Sequence, residues 1–150
     1  MFKKILIPID GSEQSVNGLK IACELAKSDK FIYLNILSIY KYHSFTERSL
    51  SMMIGGTQKA DNLEDVLATN SREIVANAKK IAVESGIDKE RVRGFVREGQ
   101  TAKAILEFAK YNDTDLIVIG KQGKGDLSGY LLGGNSHKVS GLAKCPVLVV

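Results

Sequence analysis

The sequence predicts an α/β domain in which a parallel β-sheet carries helices on both faces. Short apolar runs typical of strands alternate along the chain with longer segments whose apolar residues recur at helical spacing. The run Leu116–Ile119 is continuous and apolar, as expected of a strand that is covered on both faces. This alternation favours right-handed crossovers and therefore parallel strands.

Length and composition set the broad class. The chain has 150 residues, of which 44% are hydrophobic and 25% charged, and this predicts one soluble domain over residues 1–150. The net charge of +4 mildly favours anionic ligands, whereas the scattered lysines do not indicate nucleic-acid binding. No apolar run approaches the roughly 20 residues that span a membrane. The first ten residues lack a signal-peptide core, so we expect a cytoplasmic protein with reduced cysteines.

Five strands are predicted from the apolar runs. Four are continuous, and the third alternates in the manner of a half-buried strand. The predicted strands cover residues 5–9, 32–37, 92–97, 116–119 and 147–150.

Four helices are predicted between the strands. We expect Ser12 to cap the first, Gly86 to end the second and Thr101 to cap the third, while the fourth covers residues 135–143. The apolar residues expected to face the core are Val16, Leu19, Cys23 and Ala26 in the first helix, Leu63, Val66, Leu67, Ile74, Ala78 and Ile81 in the second, Ile105, Phe108 and Ala109 in the third, and Val139 and Leu142 in the fourth.

Residues 40–60 fit neither pattern, because they are polar and contain glycines. The segment is long for a loop and includes Met52, Met53 and Ile54. It is interpreted either as a local packing plug or as a mobile flap over a ligand or partner.

Two loops at predicted strand ends carry the residues best suited to bind a ligand. Residues 8–12 follow the first strand, residues 120–125 follow the fourth, and residues 133–136 open the last helix. Glycines let a backbone approach a phosphate closely, and a helix start adds unpaired N–H groups and a positive dipole end. Because ligands of open parallel sheets bind beyond the carboxyl ends of the strands, these loops predict a phosphate site.

Other residues give weaker indications. Asp10 could cap the first helix in competition with Ser12, or it could accept a hydrogen bond from the base or sugar of a ligand. Ser136 and His137 are consecutive on a helix and make a poor nucleophile–base pair. Asp113 and Asp115 flank a strand start at the end opposite the expected site, so no catalytic residue is predicted.

The sequence resembles the universal stress protein family over its whole length. The resemblance rests on residues 4–13, 115–120 and 145–150, which look like the first, fourth and last strands of the family. The nucleotide-binding branch of the family carries Gly-x2-Gly-x9-Gly-Ser/Thr, and Gly120, Gly123 and Gly133 match this spacing. Gly134 stands where that branch has Ser or Thr, which removes one possible phosphate donor.

The resemblance implies a Rossmann-like, three-layer fold related to the adenine nucleotide alpha hydrolases, with a five-stranded parallel sheet of order 3-2-1-4-5. It also implies an adenine nucleotide as ligand, ATP or else AMP or ADP, with Mg²⁺ as an accompanying ion. The residues implied to surround the nucleotide are Pro8, Ile9, Asp10, Ile36, Gly120, Lys121, Gln122, Gly123, Lys124, Gly133, Gly134, Asn135 and Ser136.

The implied function is regulation in the stress response, together with an unknown protein partner. A homodimer is expected through the last strand, with Val147, Leu148 and Val149 at an open sheet edge; the alternative is an edge covered by residues 40–60. Two other functions stay open. One is a dimeric interaction module that binds no nucleotide, which Gly134 favours, and the other is a slow ATPase.

Overall fold

The fold is a five-stranded parallel sheet with helices on both faces. The computed structural model describes residues 1–41, 57–123 and 132–150, with the side chains of the second range described from residue 63. Adjacent strands follow the order β3-β2-β1-β4-β5, which confirms the predicted topology. The strands are β1 Lys4–Pro8, β2 Tyr33–Tyr40, β3 Val92–Glu98, β4 Leu116–Ile119 and β5 Val147–Val149.

The described parts of the chain contain four α-helices and one 3-10 turn. Their bounds are α1 Glu13–Lys27, α2 Thr57–Glu84, the turn Lys89–Arg91, α3 Thr101–Tyr111 and α4 Gly134–Leu142. Among these helices, none combines the length and the apolarity needed to cross a membrane.

Two hydrophobic clusters sandwich the sheet. Ile5 and Ile7 of β1 belong to the cluster under α1 and α2, whereas Leu6 between them belongs to the cluster under α3 and α4. Successive strand side chains point to opposite faces, so one apolar strand supplies both layers of the core. Cys23 of α1 is fully buried in the first cluster, which confirms its predicted place in the core.

Several helix signals in the sequence are confirmed. The Ser12 hydroxyl accepts a hydrogen bond from the Ser15 N–H at 3.2 Å and so caps α1. Gly86 lies just after α2 with φ +97°, a conformation that glycine adopts without the strain of a side chain.

Other details were wrong. Gln100, not Thr101, is the N-cap of α3, and Thr101 is its first residue. Val66 is 62% exposed because the buried stripe of α2 runs through Ala68, Ser71, Val75 and Ala78. Leu142 is 67% exposed in the last turn of α4, where the chain leaves the helix for β5.

The segment 42–56 and residues 124–131 lie outside the described residues, so the interpretation of residues 40–60 and of Met52, Met53 and Ile54 stays a prediction. At the amino ends of β1 and β4, the Asp115 carboxylate accepts hydrogen bonds from the Lys3 and Lys4 N–H groups at 2.8 and 2.9 Å. Asp115 therefore fixes the start of β1.

Candidate functional site

A cavity of about 450 Å³ opens beyond the carboxyl ends of β1, β2 and β4. The strand order reverses between β1 and β4, and such a switch point is where open α/β sheets bind ligands. The residues that line it are Pro8, Ile9, Asp10, Ser15, Leu37, Ser38, Ile39, Tyr40, Lys41, Leu67, Asn70, Ser71, Ile74, Thr101, Ile105, Ile119, Gly120, Gly123, Asn135 and Ser136.

The turn after β1 places Asp10 at the cavity. One Asp10 carboxylate oxygen accepts a hydrogen bond from the Ser12 N–H at 2.9 Å, and Gly11 between them has φ +82°. The side chain therefore holds the turn that leads into α1, while Ser12 itself caps the helix. Asp10 also lines the cavity.

The loop after β4 passes very close to the first turn of α1. A Cβ atom on Gly120 would lie 3.0 Å from the backbone carbonyl carbon of Gln14, which explains why glycine is needed there. The Gln14 side chain accepts a hydrogen bond from the Gln122 N–H at 2.7 Å. These contacts fix residues 120–122 against α1.

Lys121 joins this loop to α4 and to the last residue of the chain. Its N–H donates to the Val150 carbonyl at 2.5 Å, and its own carbonyl accepts from the Gly133 N–H at 2.8 Å and the Ser136 hydroxyl at 2.6 Å. The Ser136 hydroxyl also lies 3.0 Å from the Gly133 carbonyl. We call residues 120–123 together with residues 133–136 the glycine wall of the cavity.

At the start of α4 in the glycine wall, the N–H groups of Gly134, Asn135 and Ser136 have no acceptor outside the helix among the described residues. Its N-cap, Gly133, has no side chain to cap it, and the His137 N–H makes the first turn's bond to the Gly133 carbonyl at 2.9 Å. The N–H groups that precede His137 and the positive dipole end therefore suit an anion. A Cβ atom on Gly134 would meet nothing within 4 Å, so this position has room for a side chain.

All the predicted site residues except Ile36 fall into three groups. Seven line the cavity: Pro8, Ile9, Asp10, Gly120, Gly123, Asn135 and Ser136. Lys121, Gln122, Gly133 and Gly134 lie in the same loop and helix start without lining the cavity, and Lys124 is outside the described residues.

Ile36 is in a different place from the one expected. It was predicted at the end of the second strand, but β2 continues to Tyr40, and Ile36 is a fully buried core residue in its middle. Parallel pairing with β3 extends β2 to the end of that partner strand, through the pair Tyr40–Glu98. The residues of β2 that reach the cavity are therefore Leu37 to Tyr40.

The side of the cavity formed by β2 and α2 was missed. We call residues 38–40 together with residues 67–74 the α2 wall. Ser71 could have been noticed in the sequence, because it is a polar residue within the apolar stripe of a helix. In the structure it is only 3% exposed. The extension of β2 to Tyr40 depends on its partner strand, so the apolar run alone did not indicate it.

The surroundings of Tyr40 in the α2 wall favour the protonated form of its phenol. Burial raises the pKa of Tyr40, and the carboxylates of Glu64 and Glu98 raise it further. Among the described residues, no three His, Cys, Asp or Glu side chains are grouped to hold a metal ion.

The fold and this cavity define a doubly wound α/β protein whose site lies at the topological switch point, with a glycine-rich loop and a helix start on one side. Comparison with known proteins gives the family. The model described as "Universal stress protein family" matches residues 1–150, and the chain belongs to this family.

Individual relatives agree with this assignment. Universal stress protein YxiE from Bacillus subtilis is 36% identical over 151 residues, which cover 100% of this chain and 99% of the relative. The structure of UspA from Lactobacillus plantarum has a TM-score of 0.83 at 19% identity, covering 99% of this chain and 97% of that one.

Two similar structures hold ligands. One is a universal stress protein in complex with cAMP, with a TM-score of 0.72, 23% identity and coverage of 99% and 97%. The other is the universal stress protein from Archaeoglobus fulgidus in complex with dAMP, with a TM-score of 0.66, 17% identity and coverage of 99% and 97%.

Proposed function

We propose that this universal stress protein belongs to the nucleotide-binding branch of its family and binds an adenine nucleotide in the switch-point cavity. ATP is the first candidate, with AMP and ADP as alternatives. The observation that carries the proposal is the glycine wall, where a loop tied down through Lys121 meets the uncapped start of α4. Relatives of the same fold that hold cAMP and dAMP support an adenine base in the ligand.

The phosphates bind at the glycine wall in this proposal. The N–H groups at the start of α4 donate to phosphate oxygens, and the helix dipole adds a positive potential. The Ser136 hydroxyl contributes indirectly, because it already bonds the Lys121 carbonyl and so holds helix and loop together. Lys124 is the remaining predicted phosphate residue, and Mg²⁺ would accompany the phosphates.

The ribose and base bind on the other side of Asp10. The Asp10 carboxylate faces the cavity and accepts hydrogen bonds from ribose hydroxyls, while the buried residues Pro8 and Ile9 provide an apolar surface for the base. A cavity of about 450 Å³ lies within the range of ordinary small-molecule sites.

The proposed role is regulatory, in the stress response, rather than catalytic. Hydrolysis requires a side chain that orients the attacking water and stabilises the developing charge. Within the described lining, Asp10 is the carboxylate, and it already accepts the Ser12 N–H; His137 is exposed on α4 and does not line the cavity. We therefore expect slow hydrolysis of ATP or none.

The test is the affinity for ATP, measured by calorimetry on four proteins. Gly123→Val should abolish binding, since its side chain blocks the approach of the backbone to the phosphates. Gly134→Ser should bind about tenfold tighter than the native chain, because one added hydrogen bond to a charged group is worth about 1.5–3 kcal/mol. Gly134→Ala is the matched control, which fills the same open space without a donor.

A native protein that shows no binding at millimolar ATP, together with no gain in Gly134→Ser, contradicts the proposal. That result would favour the alternative of an interaction module that binds no nucleotide.

We further propose a homodimer through β5, in which Val147, Leu148 and Val149 of two copies pair in antiparallel fashion. β5 is an edge strand, and it offers unpaired backbone groups to a second chain. The Pro146 carbonyl accepts from the Ile117 N–H, and the Val150 N–H donates to the Ile119 carbonyl. Backbone N–H groups alternate in direction along a strand. The Leu148 N–H therefore points toward β4, as the Val150 N–H does, and the Val149 N–H points away from the sheet.

Val149→Pro should therefore give a folded monomer, whereas Leu148→Pro should damage the sheet, because it removes a bond to β4. Light scattering together with circular dichroism separates these outcomes. A native protein that is monomeric at tens of micromolar, or a folded Val149→Pro dimer, contradicts the interface.

A further inference from the structure

A second cavity, of about 410 Å³, lies at the end of the sheet opposite the switch-point cavity. It opens between α3 and α4, beside the residues that precede β4 and β5, and we call it the α3–α4 cavity. None of its described lining residues also lines the switch-point cavity. Its volume lies within the range of small-molecule sites, so it has room for a ligand of its own.

Thr114, which lines the α3–α4 cavity, carries an unpaired hydroxyl group. Among the described residues, this hydroxyl is the buried side-chain polar group that has no hydrogen-bond partner, and Thr114 is only 8% exposed. Burying a hydroxyl without a partner lowers the stability of a fold. A ligand in the cavity would supply the missing partner.

The backbone around Thr114 favours an apolar residue at this position. Asp113 has a left-handed backbone with φ +51°, and the Thr114 N–H donates to the Ala109 carbonyl at 3.0 Å, so these residues close the end of α3. The second residue beyond the C-cap of such a helix commonly packs an apolar side chain against the last turn. Valine has nearly the shape of threonine and no hydroxyl to pair, which indicates that the hydroxyl serves the cavity and not the helix end.

Most of the wall of the α3–α4 cavity is apolar. Leu106 and Ala109 of α3 line it together with Leu142 at the end of α4. Leu142 is 67% exposed, so an apolar ligand that covers it would remove its side chain from water. Burial raises the pKa of the Cys145 thiol in the same wall, which favours the neutral form of that group.

The exposed charged residues that line the cavity leave an excess of positive charge. They are Glu107, Lys110, Asp113 and Lys144. The Glu107 carboxylate lies 4.0 Å from the ammonium group of Lys103, and the Asp113 carboxylate lies 3.9 Å from that of Lys4. Neither of these partners lines the cavity, whereas the two lysines that do line it form no ion pair with the described residues. The cavity therefore suits a negatively charged ligand.

We propose that the α3–α4 cavity binds a small carboxylic acid that carries an apolar chain. The carboxylate accepts a hydrogen bond from the Thr114 hydroxyl and is attracted by the ammonium groups of Lys110 and Lys144, while the chain covers Leu142. Hydrogen bonds to a charged acceptor are stronger than those to a neutral one, which favours a carboxylate as the partner of Thr114. This site goes beyond the nucleotide proposal and does not depend on it.

The experiment titrates the isotope-labelled protein with octanoate and follows the amide chemical shifts. The amides of Thr114, Leu142 and Cys145 should shift at millimolar octanoate, while those of Gly123 and Asn135 in the switch-point cavity should not. Acetate, which has the carboxylate without the chain, and octanol, which has the chain without the charge, should both bind more weakly.

Variants assign the contacts. Thr114→Val should bind octanoate about tenfold more weakly, the value of one hydrogen bond to a charged group, whereas Thr114→Ser keeps the hydroxyl and should retain the affinity. Lys110→Gln/Lys144→Gln should weaken binding about fivefold and abolish the preference for octanoate over octanol. The matched control is Lys138→Gln on α4, because Lys138 is exposed and lines neither cavity.

The opposing results are equally definite. No shift of the three amides at millimolar octanoate, or shifts confined to the switch-point cavity, would overturn the inference, and the α3–α4 cavity would then hold only water. A folded Thr114→Val protein with the native affinity for octanoate would also overturn it. Leu142→Ala changes an exposed side chain and so leaves the fold intact; it should weaken octanoate binding about tenfold, and an unchanged affinity would likewise contradict the proposed site.

Discussion

The glycine wall and the α2 wall border the same cavity but are built in different ways. In the glycine wall, most of the contacts are made by the backbone. The Lys121 N–H donates to the Val150 carbonyl, the Lys121 carbonyl accepts from the Gly133 N–H, and Gly120 lies against the backbone of Gln14. In the α2 wall, side chains project from a regular strand and a regular helix, and Ser38 and Ser71 among them are 2% and 3% exposed. The glycine wall is therefore defined by the shape of the backbone, and the α2 wall by the identity of its side chains.

This difference assigns separate roles to the two walls. A backbone wall binds groups common to many ligands, such as phosphates, because N–H groups do not depend on residue type. A side-chain wall can change one residue at a time without altering the fold.

The largest expected effect comes from adding one methyl group to the glycine wall. Gly120→Ala places a Cβ atom 3.0 Å from the Gln14 backbone, and this overpacking should lower the free energy of unfolding by about 2 kcal/mol. Gly134→Ala adds the same atom where nothing lies within 4 Å and should leave stability unchanged or slightly raised. Urea unfolding of both variants measures the contrast, and equal stabilities would show that Gly120 is not held against α1.

The second comparison uses two serines of nearly equal burial, one in each wall. Ser136, 2% exposed, bonds the Lys121 carbonyl, so Ser136→Ala should cost about 1 kcal/mol of stability. Ser71, 3% exposed, lines the cavity and has no hydrogen-bond partner among the described residues, so Ser71→Ala should be neutral or stabilising without ligand. Thermal unfolding monitored by circular dichroism measures the stability change in each variant. A loss in Ser71→Ala as large as that in Ser136→Ala would mean that Ser71 has a structural role.

The smallest expected effect concerns Tyr40 in the α2 wall at alkaline pH. Burial, together with Glu64 and Glu98, raises the pKa of Tyr40 in the folded chain. Above pH about 10 the unfolded chain loses this proton while the folded chain keeps it, so stability falls as pH rises. Tyr40→Phe should show a shallower decline between about pH 9 and 11 in urea unfolding. If the free energy of unfolding declines with pH equally steeply in both proteins, the pKa of Tyr40 is not raised by folding.

The sequence predicted the backbone wall better than the side-chain wall for a physical reason. Asp10, Gly120 and Gly123 reach the cavity because they lie within four residues after a strand, and a strand end is a local property of the chain. Ser71 reaches it because α2 packs across β2, which depends on contacts between distant segments. Sequence spacing shows that α2 is a helix but does not specify which of its residues lies over the end of β2.

Strand and helix ends explain the remaining errors. The family resemblance implied Ile36 at the end of the second strand, and the apolar run ends near residue 37, whereas pairing with β3 carries β2 on to Tyr40. Leu142 has the right spacing from Val139 to be buried, but α4 ends there and no element covers it in the described residues. The strand order and the crossovers were predictable, since they follow from the alternation of elements.

The most direct test of adenine nucleotide binding in the switch-point cavity is a titration of the isotope-labelled protein with ATP, followed by the amide chemical shifts. The account predicts that amides of both walls shift together, among them Gly123, Asn135, Ser38 and Ser71, while those of Asp113 and Thr114 at the opposite end of the sheet do not. Shifts confined to that opposite end, or no shifts at millimolar ATP, would contradict it.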